Sequence, residues 1–237
     1  MRPSYKLLAP SIAALLTGTA FAAGSLDVEH EPQAVLDALA ACGGQPLETR
    51  SPAAARGVLV SARRGAHAKL APADATDKIV VLDGQPLRHA IVHPAGARGV
   101  LPAFMFFHDV GGGPGDYPTH ERFARDLVAD SGAAAVLVNY TRSPEVRYPA
   151  AINQACAATK RFAENGASIG VDDKHLAVAG NMPACRRADG QAHGTPALRG
   201  EVLSWAVTSV RFADPSYGEL ESGHFLTRPL LKRFRDV

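Results

Sequence analysis

Leu101-Pro102-Ala103-Phe104-Met105-Phe106-Phe107 is an unbroken apolar run of strand length, and it leads into His108-Asp109-Val110-Gly111-Gly112-Gly113-Pro114-Gly115. A strand with one wet face alternates apolar and polar residues. A continuous run is expected where helices cover both faces of the sheet. The residues downstream repeat this theme. Thr119 to Asp130 places Phe123, Leu127 and Val128 on one side at helical spacing, with Gly132 just past its end as a stop. Ala133 to Tyr140 is a second buried strand. Ala150 to Glu164 is a second helix, with Ile152, Ala155, Cys156, Thr159, Phe162 and Ala163 on one stripe. Leu176 to Ala179, entered through Asp172 and Asp173, is a third buried strand, and Val202 to Val207 a fourth. Strands alternating with helices predict a mostly parallel, doubly wound sheet in a three-layer α/β/α sandwich.

Upstream, Lys78 to Leu82 and Pro86 to Val92 flank Asp83-Gly84, which predicts a β-hairpin with a two-residue turn. Ser51-Pro52 has the form of a helix N-cap followed by proline at the first helical position. Val35, Leu36 and Leu39 give Pro32 to Ala41 helical spacing. The first residues read as an export signal. Arg2 and Lys6 supply a positive start, Leu7 to Phe21 is apolar and small, and Ala20-Phe21-Ala22 has the small-x-small form of a cleavage site. Pro10 and Thr17 interrupt the run, which is short of the roughly 20 residues a bilayer span needs. Cleavage is expected near Ala22 or Ala23, with no integral membrane span left afterwards.

The chain has 237 residues, enough for one domain with a small appendage, and its 46% hydrophobic content excludes a disordered polymer. Net charge is +2 with scattered Lys and Arg, so nothing calls for nucleic acid. Cys42, Cys156 and Cys185 make an odd set for an exported protein, and no disulfide is expected. Cys156 reads as core.

Several stretches together resemble the hormone-sensitive-lipase-like branch of the α/β-hydrolases, which includes bacterial esterases and lipases. They are Phe106-Phe107-His108, Gly115 to His120, Val138-Asn139-Tyr140, Ser143-Pro144-Glu145, Tyr148-Pro149-Ala150-Ala151 and Leu176 to Gly180. Arg211-Phe212, Pro215-Ser216-Tyr217 and Phe225 to Arg228 complete the set. The resemblance runs from about residue 78 to 235. It implies ester hydrolysis without a cofactor, a serine nucleophile in a G-x-S-x-G turn, a later acid and histidine, and an oxyanion hole built partly by an H-G-G-G loop.

Measured against that chemistry, the nucleophile turn is disabled. The matching stretch is Gly180-Asn181-Met182-Pro183-Ala184, with methionine at the serine position. A thioether has no proton to lose and forms no acyl-enzyme. The next residue should donate its backbone N–H to the oxyanion, and Pro183 has none. Losing one such donor costs about 3 kcal/mol in barrier. His108, Gly111, Gly112 and Gly113 are the oxyanion-hole candidates, though the glycines are displaced along the loop and Val110 is branched. The stretch also reads as a turn after a strand. It is a poor phosphate loop, because no G-K-[ST] follows.

The chain stops at Val237, soon after the fourth buried strand, so the family's acid and histidine are expected to be missing. His193 and His224 are weak substitutes as general base, and Cys185 as nucleophile. His67, His89 and His93 lack metal-ligand companions at useful spacing. Cys185-Arg186-Arg187-Ala188-Asp189-Gly190-Gln191 is polar where the family has an apolar helix. One allowed coding, TGT CGT CGC GCT GAT GGC CAG, read one base later gives Val-Val-Ala-Leu-Met-Ala. That points to a small deletion near Met182 with a local frameshift, restored near Gly194.

The expected organisation is a signal peptide over 1–22, a cap-like helical segment over 23–77 and a partial hydrolase domain over 78–237. The expected partner is a small-molecule ester or acyl ligand. The expected activity is carboxylic-ester hydrolysis, impaired in this chain. A binding protein that reuses the cleft is the alternative. No metal is expected.

Overall fold

The computed structural model describes residues 45–65, 69–108, 115–181, 196–204, 206, 211–219, 221–222 and 226–236, with Gln33 and Asp37. The expected signal peptide, most of the Pro32–Ala41 helix, Cys42 and Cys185 lie outside them. The chain divides into two units, Lys69–Ser209 and the combination of Met1–Ala68 with Val210–Val237.

The larger unit holds a six-stranded sheet in the order β1-β2-β4-β3-β5-β6. The strands are β1 (Ala73–Leu82), β2 (Gln85–Pro94), β3 (Leu101–Phe107), β4 (Ala134–Asn139), β5 (Val171–Gly180) and β6 (Glu201–Leu203). β2 is antiparallel to both β1 and β4, whereas β3 is parallel to β4 and β5, and β5 to β6. The hairpin forms as expected. Leu82 pairs with Gln85, and Asp83 and Gly84 take φ of 47° and 75°, the twist a tight two-residue turn requires. β1 starts at Ala73 rather than Lys78.

The apolar run Leu101–Phe107 is β3, and both of its faces are covered. Ala103, Met105 and Phe107 enter one apolar cluster, with Val136, Val138 and Val178. Phe104 and Phe106 enter another, with Ala135 and Leu137. Helix α2 (Tyr117–Ser131) covers the second cluster through Ala124 and Val128, and helix α3 (Ala150–Asn165) covers the first through Ala155, Ala158 and Phe162. Met105, Phe106 and Phe107 have no exposed surface. Each contributes roughly 2–3 kcal/mol of apolar burial.

α2 is closed at both ends. The Asp116 carboxylate accepts the Thr119 N–H at 3.0 Å, and the Thr119 hydroxyl accepts the Asp116 N–H at 2.8 Å. Gly132 ends the helix at φ 68°.

β5 begins at Val171, so Asp172 and Asp173 lie inside the strand rather than before it. The pairing slips between Leu101↔Val171 and Ala103↔Leu176. Asp172 Oδ1 accepts the Lys174 N–H at 2.8 Å within the slip, a side-chain turn that strand patterning does not reveal. β6 runs over Glu201–Leu203, one residue ahead of the expected Val202 start, and Ser204 and Ala206 lie outside it, while residues 205 and 207 are outside the described residues.

The other unit contains α1 (Pro52–Gly65), α4 (Pro215–Glu219) and α5 (Arg228–Asp236). The Ser51 hydroxyl accepts the Ala54 N–H at 3.2 Å, so the expected N-cap before Pro52 is formed. The Thr227 hydroxyl donates to Glu48 Oε1 at 3.3 Å, and the Arg233 guanidinium donates to the Glu48 carbonyl.

Candidate active site

Strand order places the site. From β3 the chain crosses to β4 on one side, then passes over β3 to β5 on the other. The two connections leave in opposite directions, with α2 and α3 on opposite faces. Such a switch point, here at the carboxyl ends of β3 and β5, is the usual ligand position in open α/β sheets. The glycine stretch follows β3 in sequence, and Gly180 is the last residue of β5.

The tip of β5 is pinned. Gly180 pairs with Phe107 and takes φ 128°. A β-carbon there would lie 2.1 Å from the Phe107 carbonyl oxygen, so only glycine fits. The same oxygen accepts the Asn181 N–H at 2.9 Å, and the Gly180 carbonyl accepts the Ser204 N–H at 2.9 Å. Asn181 is buried, and its Oδ1 has no hydrogen-bond partner among the described residues.

One residue beyond β3, His108 is 1% exposed. Its ring stacks on Tyr140, with centroids 4.3 Å apart and planes at 23°. The Tyr140 hydroxyl donates to the His108 carbonyl and lies 3.1 Å from His108 Nδ1. With its proton on the carbonyl, the phenol oxygen can accept from Nδ1 in the tautomer that carries its proton there. His120, in the first turn of α2, has its ring 5.8 Å from that of His108. Its Nδ1 lies 3.0 Å from Thr119 Oγ1 and 3.1 Å from the Asp116 carbonyl.

The start of α2 is tied to the end of β4. The Tyr117 N–H donates to Asn139 Oδ1 at 3.1 Å, and Arg142 Nη1 donates to the Gly115 carbonyl at 2.9 Å. Arg142 also lies 3.7 Å from Asp116 Oδ2. Burial, reinforced by Glu121, pushes the Tyr117 phenol up to about 12. The glycine stretch therefore leaves and re-enters the described structure at two held points, His108 through Tyr140 and Gly115 through Arg142.

Of the residues expected at the site, Gly180, Asn181 and His108 stand at these strand ends. Gly111, Gly112, Gly113, Met182 and Pro183 lie outside the described residues, as do His67, His193 and His224. His89 is buried in β2, and His93, also in β2, packs near Gly170. Among the described residues no three His, Cys, Asp or Glu side chains gather to hold a metal ion, and no helix is long and apolar enough to cross a membrane. Sequence reading gave Asn139, Tyr140 and Arg142 no role. The one signal for the first two was that Val138-Asn139-Tyr140 is among the stretches that carry the family resemblance.

The sheet, its switch point and the glycine-constrained strand ends define a doubly wound α/β protein. The alpha/beta hydrolase fold family model matches residues 104–237, and the chain belongs to that family. It is 47% identical to a thermostable esterase from Pseudomonas putida ECU1011, with a TM-score of 0.85, over 90% of this chain and 69% of that one. A Rhizomucor miehei esterase structure matches at 29% identity and a TM-score of 0.80, over 90% of this chain and 68% of that one. Carboxylesterase NlhH of Mycobacterium tuberculosis is 31% identical over 146 residues, which are 60% of this chain and 46% of the relative. The chain thus spans about half the length of the curated relatives it matches.

Proposed function

We propose that this chain is a carboxylic-ester hydrolase relative whose covalent route is disabled at the bend after β5. The observation that carries the reading is the pinned Gly180, which fixes where a nucleophile turn begins, followed in sequence by Met182 and Pro183. Acyl transfer needs a hydroxyl or thiol at the first of those positions and an amide N–H at the second. A sulfur ether and an imino acid supply neither. The similarity to esterases supports the substrate class, a small ester or acyl compound held at the ends of β3 and β5.

The test is labelling of the purified chain with a fluorophosphonate probe, alongside p-nitrophenyl acetate turnover. The expected result is no stoichiometric adduct and turnover at the background rate. A one-to-one adduct would overturn the proposal. Thermal stabilisation by an aryl ester without turnover is the outcome for a cleft that still binds.

A further inference from the structure

His89 sits in the middle of β2 with no exposed surface. Its ring meets Phe162 of α3 edge-on, with centroids 5.1 Å apart. Nδ1 lies 2.9 Å from the Leu87 carbonyl, which can only accept, so the proton is on Nδ1. Nε2 is then a lone pair, buried and without a partner among the described residues. A second proton there would be a charged donor with nothing to receive it, inside the layer built by Leu87, Val138, Ala158 and Phe162.

Among the described residues the surroundings offer no counter-charge. On β1, Lys78 stands opposite His89 in register and is exposed and cationic. On β2, Arg88 points to the other face and is paired with Asp77 across the hairpin at 2.7 Å. The β4 neighbour is Val138. On α3, the Thr159 hydroxyl donates to the Ala155 carbonyl, and Cys156 is a partly buried thiol in the same cluster. Lys160, Arg161 and Glu164 of α3 are exposed.

We propose that His89 is an acid-sensitive latch: while neutral it holds the β1–β2 hairpin packed beneath α3, and protonation releases that end of the sheet. Burial is the dominant influence, lowering the imidazole from its usual 6.5 to about 4, with the Leu87 carbonyl opposing it weakly. The sign follows. Above pH 6.5 the ring is neutral in both closed and opened forms, and packing is at full strength. As pH falls from 6.5 toward 4 the opened form takes up a proton first, so opening gains. At pH 5 the opening equilibrium should favour release by about 30-fold more than at pH 7.5. The latch is separate from the strand ends at the proposed site, so its test does not depend on any ester chemistry.

The experiment is hydrogen exchange on the full chain between pH 7.5 and 5, expressed as protection factors, together with histidine ring ¹⁵N spectra. Protection in β1, β2 and α3 should fall by about that factor at pH 5, and β3 and β5 should keep theirs. His89→Leu should flatten the pH dependence. Equal loss across all strands, or an unchanged acid response in His89→Leu, overturns the latch. Should His89→Leu not fold, the wild-type ring decides. Its Nε2 should stay unprotonated in the closed form at pH 5, and a native-state midpoint near 6.5 refutes the proposal.

Discussion

Gly180 approaches Phe107 so closely that the Phe107 carbonyl oxygen occupies the place of a β-carbon, 2.1 Å away, while the neighbouring Asn181 N–H donates to that same oxygen at 2.9 Å. The ends of β3 and β5 are thereby locked together on either side of the switch point. The chain segments that follow His108 and Asn181 in sequence therefore start from fixed positions.

Gly180→Ala must move the Phe107 backbone and hold a β-carbon at φ 128°. Overpacking and backbone strain together should cost about 3 kcal/mol or more. In a urea titration the midpoint should fall with an unchanged slope. A midpoint equal to that of the parent would show that the strand ends are not in this contact.

The start of α2 rests on the reciprocal pair Asp116 and Thr119. Asp116→Ala should cost about 1 kcal/mol, the usual worth of an N-cap. Asp116→Asn keeps an acceptor oxygen and should recover most of the loss. Thermal melts of the three proteins check this, with a drop of about 3 °C expected for the alanine variant. Equal drops in both variants would assign the effect to the carboxylate's charge near Arg142 instead.

The polar segment from Cys185 to Gln191 predicts something about the gene. Read one base later, its codons should encode an apolar, helix-forming peptide of the kind that packs against a sheet. The nucleotide sequence of this region decides the matter. Codons that give polar residues or a stop in that frame would rule out the frameshift.

Much of the site's framework was legible in the sequence, for identifiable reasons. The uniform apolar character of Leu101 to Phe107 already required cover on both faces, because an alternating strand would serve only one. Asp83-Gly84 set the hairpin register, and Ser51-Pro52 marked a helix start, since each depends on the conformations of one or two residues. Gly180 was legible as the end of a strand entering a turn. The slip at Asp172 was not, because its hydrogen bond to Lys174 competes locally with strand pairing and leaves no periodic trace.

Local chemistry is what the chain settles alone: which segments are strands or helices, where they stop, and that methionine and proline follow Asn181. Position in space is another matter. That Tyr140 stacks on His108 across 32 residues of sequence, that Arg142 reaches the Gly115 carbonyl, and that His89 is sealed beneath Phe162 all depend on which strands become neighbours. Strand order is fixed by the crossings of α2 and α3 over opposite faces of the sheet. Those are long-range packing choices that no spacing along the chain encodes.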